Sequence, residues 1–181
     1  MEIWLDGIRN EKSINFSCRL QNETFSIIET ESKKKGISIN SQINKIVTNY
    51  VSLGRHSKDL QLISLTNRTI RKIFGDMKDD SIEELSKHVG GIIHRELVLL
   101  KYGQITFDNL MTIIEINSSR YGTTHHTFEN NTHRFCIHHN SGINFSKFIS
   151  STHQIMADEL SLQLQITNVD ENITCIEIEE P

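Results

Sequence analysis

Six of the nine histidines of this 181-residue chain fall between His125 and His153, together with Cys136, and no other stretch concentrates side chains able to do chemistry. The pattern around them is that of a hairpin. Residues 123–129 and 132–139 alternate in character and flank Asn130-Asn131, a pair suited to a two-residue turn. That turn sets Glu129 against Thr132, His126 against Phe135 and His125 against Cys136. Alternation then sorts the side chains. His126, Phe128, His133, Phe135 and Ile137 share a largely apolar face, and His125, Cys136 and His138 share the other. Two imidazoles and a thiolate on neighbouring strands are ligands for a transition metal such as Zn, Ni or Cu. The plainer expectation is an exposed sheet face carrying ordinary His and Thr, and a register slip of one would exchange the two faces. His153 reads as a core or partner-contact residue on a helix, and His88 and His94 as solvated helix positions.

Enzymatic chemistry finds little support. The chain has no Gly-rich phosphate loop, no GxSxG and no HExxH. Cys136 beside His125 could form a thiolate–imidazole pair, but no oxyanion hole accompanies it. The acidic residues Glu83, Glu84, Glu96 and Asp108 read as a solvated face. The three cysteines, Cys18, Cys136 and Cys175, are scattered and odd in number, which suggests buried thiols in a reducing compartment rather than a disulfide framework. With no long apolar run and no signal-peptide pattern, a soluble cytoplasmic protein is expected.

The elements that position the histidine region are readable from periodicity. Residues 66–77 carry Ile70, Ile73, Phe74 and Met77 at helical spacing. Asp79-Asp80-Ser81 reads as a cap before Ile82, Leu85, Val89, Ile92 and Ile93. Gly90-Gly91 inside that helix reads as a kink or a close helix crossing, since each Gly costs about 1 kcal/mol against Ala. The helix runs through Tyr102 and stops at Gly103, and a further one covers 106–117. Beyond the first hairpin a helix over 144–160 precedes a second hairpin, 163–169 and 173–179, turning at Asp170-Glu171-Asn172. Hairpin, helix, hairpin with helices before them implies one antiparallel sheet backed by helices, an α+β fold.

The first third is different. Ile14-Asn15-Phe16-Ser17-Cys18-Arg19-Leu20 alternates apolar with polar as a strand does. Residues 22–35 carry Phe25, Ile27, Ile28 and Ser32 at helical spacing, with Glu31 interrupting the apolar face, and end on Gly36. Ser38 opens a second helix with Ile39, Ile43, Ile46, Val47, Tyr50 and Val51 on one face. A lone strand and two short helices cannot close a core, because both strand edges stay unpaired. A second copy, strand against strand, solves the problem and makes a ribbon that fits the DNA major groove.

Over residues 13–53, and most clearly in Lys35-Gly36-Ile37-Ser38-Ile39-Asn40-Ser41-Gln42-Ile43, the chain resembles the Arc- and MetJ-like ribbon-helix-helix family of DNA-binding proteins. The resemblance implies a homodimer that sets Asn15, Ser17 and Arg19 against the bases of double-stranded DNA and turns Phe16, Cys18 and Leu20 inward. It fits the chemistry: Arg bonds a guanine edge through two N–H groups, and Asn bonds an adenine edge as donor and acceptor. Ser38, Asn40 and Ser41, at the start of the second helix, would offer backbone N–H groups to a phosphate. Gln21 departs from the family, which often has Pro or Asp there.

Charge follows the same division. Residues 1–58 hold nine Lys and Arg against six Asp and Glu, a balance of +3, and residues 59–181 hold ten against seventeen, a balance of −7. The expected organisation is a DNA-binding head over 1–57, a helical segment over 58–121 and a hairpin-helix-hairpin region over 122–181, the last two forming one domain. The expected function is a homodimeric or higher-oligomeric transcriptional regulator whose C-terminal part senses a ligand or assembles the protein. Two alternatives stand beside it. One is an antitoxin-type autoregulator that binds a partner toxin. The other is a metal-responsive repressor, by resemblance to nickel-responsive ribbon-helix-helix proteins, with His125, Cys136 and His138 as ligands. This chain does not reproduce the spacing of the nickel-responsive proteins.

Overall fold

The computed structural model describes residues 14–15, 17–52, 54–56 and 63–181. The chain divides between Ile63 and Ser64 into two units. Phe16, expected to face inward, and residues 57–59 of the polar connection lie outside the described residues.

In the first unit α1 (Asn22–Lys35) and α2 (Ile39–Ser52) are joined by a corner at Gly36, followed by a short 3₁₀ turn, Gly54–His56. Gly36 adopts φ 66°, and its N–H and that of Ile37 donate to the carbonyls of Lys33 and Ser32. A left-handed glycine that ties up the last carbonyls of a helix is what ends α1. Ser38 Oγ accepts the N–H of Ser41 at 3.1 Å and so caps α2. Among the described residues of this unit the buried side chains are polar: Ser32 and Gln42. Gln42 Nε2 donates to Glu31 Oε2 at 3.0 Å, so the glutamate that interrupts the apolar face of α1 holds a buried amide on α2. Of the apolar side chains on the two helices, Ile28, Ile39 and Ile43 are half-buried. Phe25, Ile27, Ile46, Val47, Tyr50 and Val51 are all exposed.

The expected strand at 14–20 is not formed within this chain: Ile14, Asn15 and residues 17–20 take no regular structure. A strand exists only through a ladder of hydrogen bonds to a neighbour.

The second unit is α+β. It runs α3 (Asn67–Gly75), α4 (Asp79–His88), a π-helical segment (Val89–Ile93), α5 (His94–Tyr102), α6 (Phe107–Tyr121), β1 (Thr123–Glu129), β2 (Thr132–His138), α7 (Ile143–Glu159), β3 (Leu164–Val169) and β4 (Ile173–Glu179). The two hairpins lie side by side in one antiparallel sheet of order β1-β2-β4-β3. The first has the register its sequence implies, Glu129 against Thr132 and His125 against Cys136. Asn130 and Asn131 both take positive φ, 50° and 62°, as a type I′ turn demands. In the second turn the Asp170 carboxylate accepts the N–H groups of Asn172 and Ile173 at 2.8 and 2.9 Å.

The helices cover one face of the sheet. Phe135, Ile176, Ile178, Ile114 and Met156 form one apolar cluster, and Ile137, Phe74, Phe145, Phe148 and Ile149 a second. Thr66 and Thr106 cap α3 and α6. For α4 the expected cap at Asp79-Asp80-Ser81 is displaced. The helix already begins at Asp79, after Lys78, and the two aspartates fill its first turn, where they favour the positive dipole end.

The π-helical segment also corrects the inward face of the α4–α5 helix. Ile92 and Ile93, expected inside, are 49% and 38% exposed, whereas His94, Leu97 and Val98 are buried. A π turn takes in an extra residue, so every position beyond it rotates relative to the α-helical count. Among the described residues no helix is long and apolar enough to cross a membrane.

Candidate functional site

In the first unit the residues expected at a DNA surface, Asn15, Ser17, Arg19, Ser38, Asn40 and Ser41, are all exposed. The Gly36 corner brings the basic end of α1, Lys33 to Lys35, next to the N-terminus of α2, whose first turn carries no acidic residue. Positive side chains and the positive end of a helix dipole therefore meet at one corner. Two of the lysines already pair along α1, Lys33 with Glu29 at 3.0 Å and Lys35 with Glu31 at 3.6 Å. These are exposed pairs of low strength. Cys18 is an exposed free thiol and Leu20 is 37% exposed, so these two of the side chains expected to turn inward are not covered within this chain.

In the second unit the outer face of the sheet carries His125, Cys136 and His138. The two histidine rings lie 5.8 Å apart, centroid to centroid. Cys136, however, is bonded to Cys175, which stands directly opposite it on β4. This corrects two expectations at once. Cys136 and Cys175 are not scattered thiols, because the β2–β4 pairing brings together residues 39 apart in sequence. A disulfide sulfur is no thiolate, so the His125, Cys136 and His138 metal set is not assembled here. Among the described residues no group of three or more His, Cys, Asp or Glu is placed to hold a metal ion.

The inner face is an aromatic wall. His126 stacks on Phe135 at 4.0 Å, and its Nε2 meets Nδ1 of His133 at 3.0 Å. Burial, then the charge of His133, lowers the pKa of His126 to about 4. Burial likewise lowers His133, against the pull of Glu180 and Asp108. Both rings are neutral at physiological pH and act as packing surfaces.

His139 is fully satisfied. Its Nδ1 accepts the N–H of Ser141 at 3.1 Å, so Nε2 carries the proton and donates to Ser146 Oγ at 2.8 Å. The Ser146 hydroxyl in turn donates to the Asp170 carbonyl. This chain ties the end of β2 to α7 and to the second turn. Ser146 has no exposed surface, so the Ser–His contact is a structural link.

His94 departs most from expectation, whereas His153 is the core residue on a helix that its sequence position implies. His94 is 4% exposed rather than solvated, and His153 is 1% exposed. Nδ1 of His153 donates to the Ile149 carbonyl at 2.7 Å, which fixes the lone pair on Nε2. That Nε2 is buried with no hydrogen-bond partner in the protein, and so is Nδ1 of His94. Burial, followed by the charge of His153 and offset by the Val89 carbonyl, brings His94 to a pKa of about 3. Burial, offset by the Ile149 carbonyl, brings His153 to about 4. The only sequence signal was the Gly90-Gly91 pair just before His94, whose effect on helix phase could not be read locally.

A helical layer on one face of a four-stranded antiparallel sheet is an architecture shared by many unrelated proteins. No family model and no curated protein matches the chain. Among solved structures, the chain is similar at 14% identity to an H-NOX protein from S. oneidensis in the Fe(II)NO ligation state, with 98% of this chain and 88% of that one covered and a TM-score of 0.21.

Proposed function

We propose that the protein is a homodimeric, sequence-specific DNA-binding regulator of the ribbon-helix-helix kind. The observation that carries this reading is the exposed apolar face of the first unit. α1 and α2 bury Ser32 and Gln42 between them while Phe25, Ile27, Ile46, Val47, Tyr50 and Val51 remain exposed. Large apolar side chains left exposed in such number are what an interaction site presents. The occupant argued for is a second copy of the chain, because the described residues of the alternating stretch, 14–15 and 17–20, also pair with no strand and a two-fold axis supplies both needs at once. Paired strands would then present Asn15, Ser17 and Arg19 twice to the major groove, with the N-terminus of α2 on the flanking phosphates. Residues 64–181 form a separate folded unit, and a DNA-binding head does not need it. We assign that unit a sensory or assembly role, since a signal that favours one arrangement of two heads would shift DNA affinity.

Selection of bound sequences from a random duplex pool, followed by titration at fixed salt, tests this reading. Arg19→Ala is expected to weaken the selected site by about 1–3 kcal/mol and to relax preference at one base position. Unchanged affinity and unchanged preference would remove Arg19 as a base reader, and failure to select any sequence would remove the function.

A further inference from the structure

Cys136 and Cys175 are bonded on the outer face of the sheet, across two strands already held together in other ways. β2 and β4 pair in unbroken register from Thr132 against Glu179 to His138 against Ile173. The apolar clusters lie on the opposite face. In the next row of the outer face Arg134 Nε donates to Glu177 Oε1 at 2.6 Å, linking the same two strands. Disulfides and thiols that are wholly buried are inert, and reactive ones are open to solvent. This bond is open on one side: Cys175 is 7% exposed, whereas Cys136 is only half-buried. A thiol arriving from solvent meets Cys136.

The bond also has a direction. Cys175 is the register partner of Cys136, and Cys136 that of His125, so the three form one row across β4, β2 and β1. In thiol–disulfide exchange a thiolate attacks one sulfur as the other leaves, entering opposite the leaving sulfur. With Cys175 leaving, the entry side at Cys136 is the β1 side, where His125 is exposed. Directly opposed residues of an antiparallel pair hold their Cβ atoms about 4.5–5.5 Å apart, so an imidazole there borders the path of the incoming thiol. The His138 ring stands edge to face against that of His125, 5.8 Å between centroids, at the same end of the row.

We propose that Cys136–Cys175 is a thiol–disulfide exchange centre for low-molecular-weight thiols and their disulfides, with Cys136 as the sulfur attacked and His125 as the base. A thiol RSH gives its proton to His125, and RS⁻ bonds to Cys136 Sγ. The Cys136–Cys175 bond breaks, and Cys175 leaves as a thiolate that takes a proton from solvent. A second thiolate attacks the sulfur carried by R, releasing Cys136 and RSSR. Two thiols become one disulfide while the protein disulfide becomes two thiols, and the reverse reaction closes the bond again. The centre gives the second unit a redox state to sense, yet it stands whether or not the first unit binds DNA.

The test uses the full chain in its native state, with reduced glutathione as the thiol. Acid quenching, alkylation and peptide mapping follow each cysteine, so the exposed Cys18 is counted separately. Millimolar glutathione at pH 7 is expected to open the bond, and quenched intermediates should carry glutathione on Cys136 and not on Cys175. A free thiol is only a few per cent ionised at pH 7, so a base that ionises it raises the rate by up to about thirtyfold. His125→Ala should therefore slow opening by about ten- to thirtyfold at pH 7 and leave it unchanged at pH 10, where the thiol ionises unaided. Equal rates for variant and parent at pH 7, or the same slowing at pH 10, overturn the assignment of His125. A bond that resists glutathione in the native protein yet opens once the chain is unfolded, or an adduct on Cys175, overturns the centre itself and leaves an inert structural link. None of these readouts involves DNA.

Discussion

Gly90 lies so close beneath α7 that a Cβ placed on it would stand 2.7 Å from the carbonyl oxygen of Thr152. The expected close crossing is therefore real, and what approaches is backbone, which cannot swing aside. Gly91, one residue on, would meet Glu159 Oε1 at 3.2 Å, the far end of a flexible side chain. Two adjacent glycines thus face opposite tests. Gly90→Ala is expected to destabilise the protein by about 1–3 kcal/mol through overpacking. Gly91→Ala should be neutral, or stabilising by up to about 1 kcal/mol, through helix propensity. Urea denaturation of the two variants side by side checks the contrast, and equal effects would refute it.

The apolar face of α2 makes a second prediction. Val47 and Tyr50 are 46% and 62% exposed in the single chain, so Val47→Asp should cost a lone chain little. Covering a Val side chain contributes about 1.5–3 kcal/mol, and the substitution acts twice across a two-fold interface. Sedimentation of the unsubstituted protein should show a dimer at micromolar concentration, and of Val47→Asp a shift toward monomer. A monomer in both cases would sink the dimer and the DNA reading together.

Protons should destabilise the second unit in a defined window. Burial moves His94 and His153 from an ordinary value of 6.5 to about 3 and about 4 on folding. Folded values below the unfolded one mean that the unfolded chain binds more protons below pH 6.5. The stability is fully present above that pH and falls as the pH drops toward the folded values. Each ring contributes about 1.4 kcal/mol per pH unit there, so the pair lowers stability by up to about 4 kcal/mol between pH 6.5 and 5. Denaturant melts across that range should show a shallower slope for His153→Phe than for the parent.

Reducing the Cys136–Cys175 bond should loosen the sheet. It closes a loop of 39 residues, and a cross-link of that span stabilises by about 2–4 kcal/mol by restricting the unfolded chain. A dithiol reductant, or the double substitution Cys136→Ser with Cys175→Ser, is expected to lower the melting temperature. Circular dichroism should still report the same strands, since the core cluster around Phe135 and Ile176 lies on the opposite face.

What residues 64–181 form was largely written in short-range patterns. Both hairpins follow from alternation and turn chemistry within a dozen residues, and Asn130 and Asn131 alone fix the register that sorts His125 from His126. Gly36, Ser38 and Gly103 mark the ends and starts of helices because capping is local. The tertiary structure decided whatever depended on two distant segments meeting. It joined Cys136 to Cys175 by laying one hairpin beside the other, and it turned Glu31 from a flaw in an apolar face into the partner of Gln42. It also buried His94, since a π turn accommodates Gly90 against Thr152 and so rotates everything after it. Periodicity assumes a constant turn, and only packing shows where the turn changes.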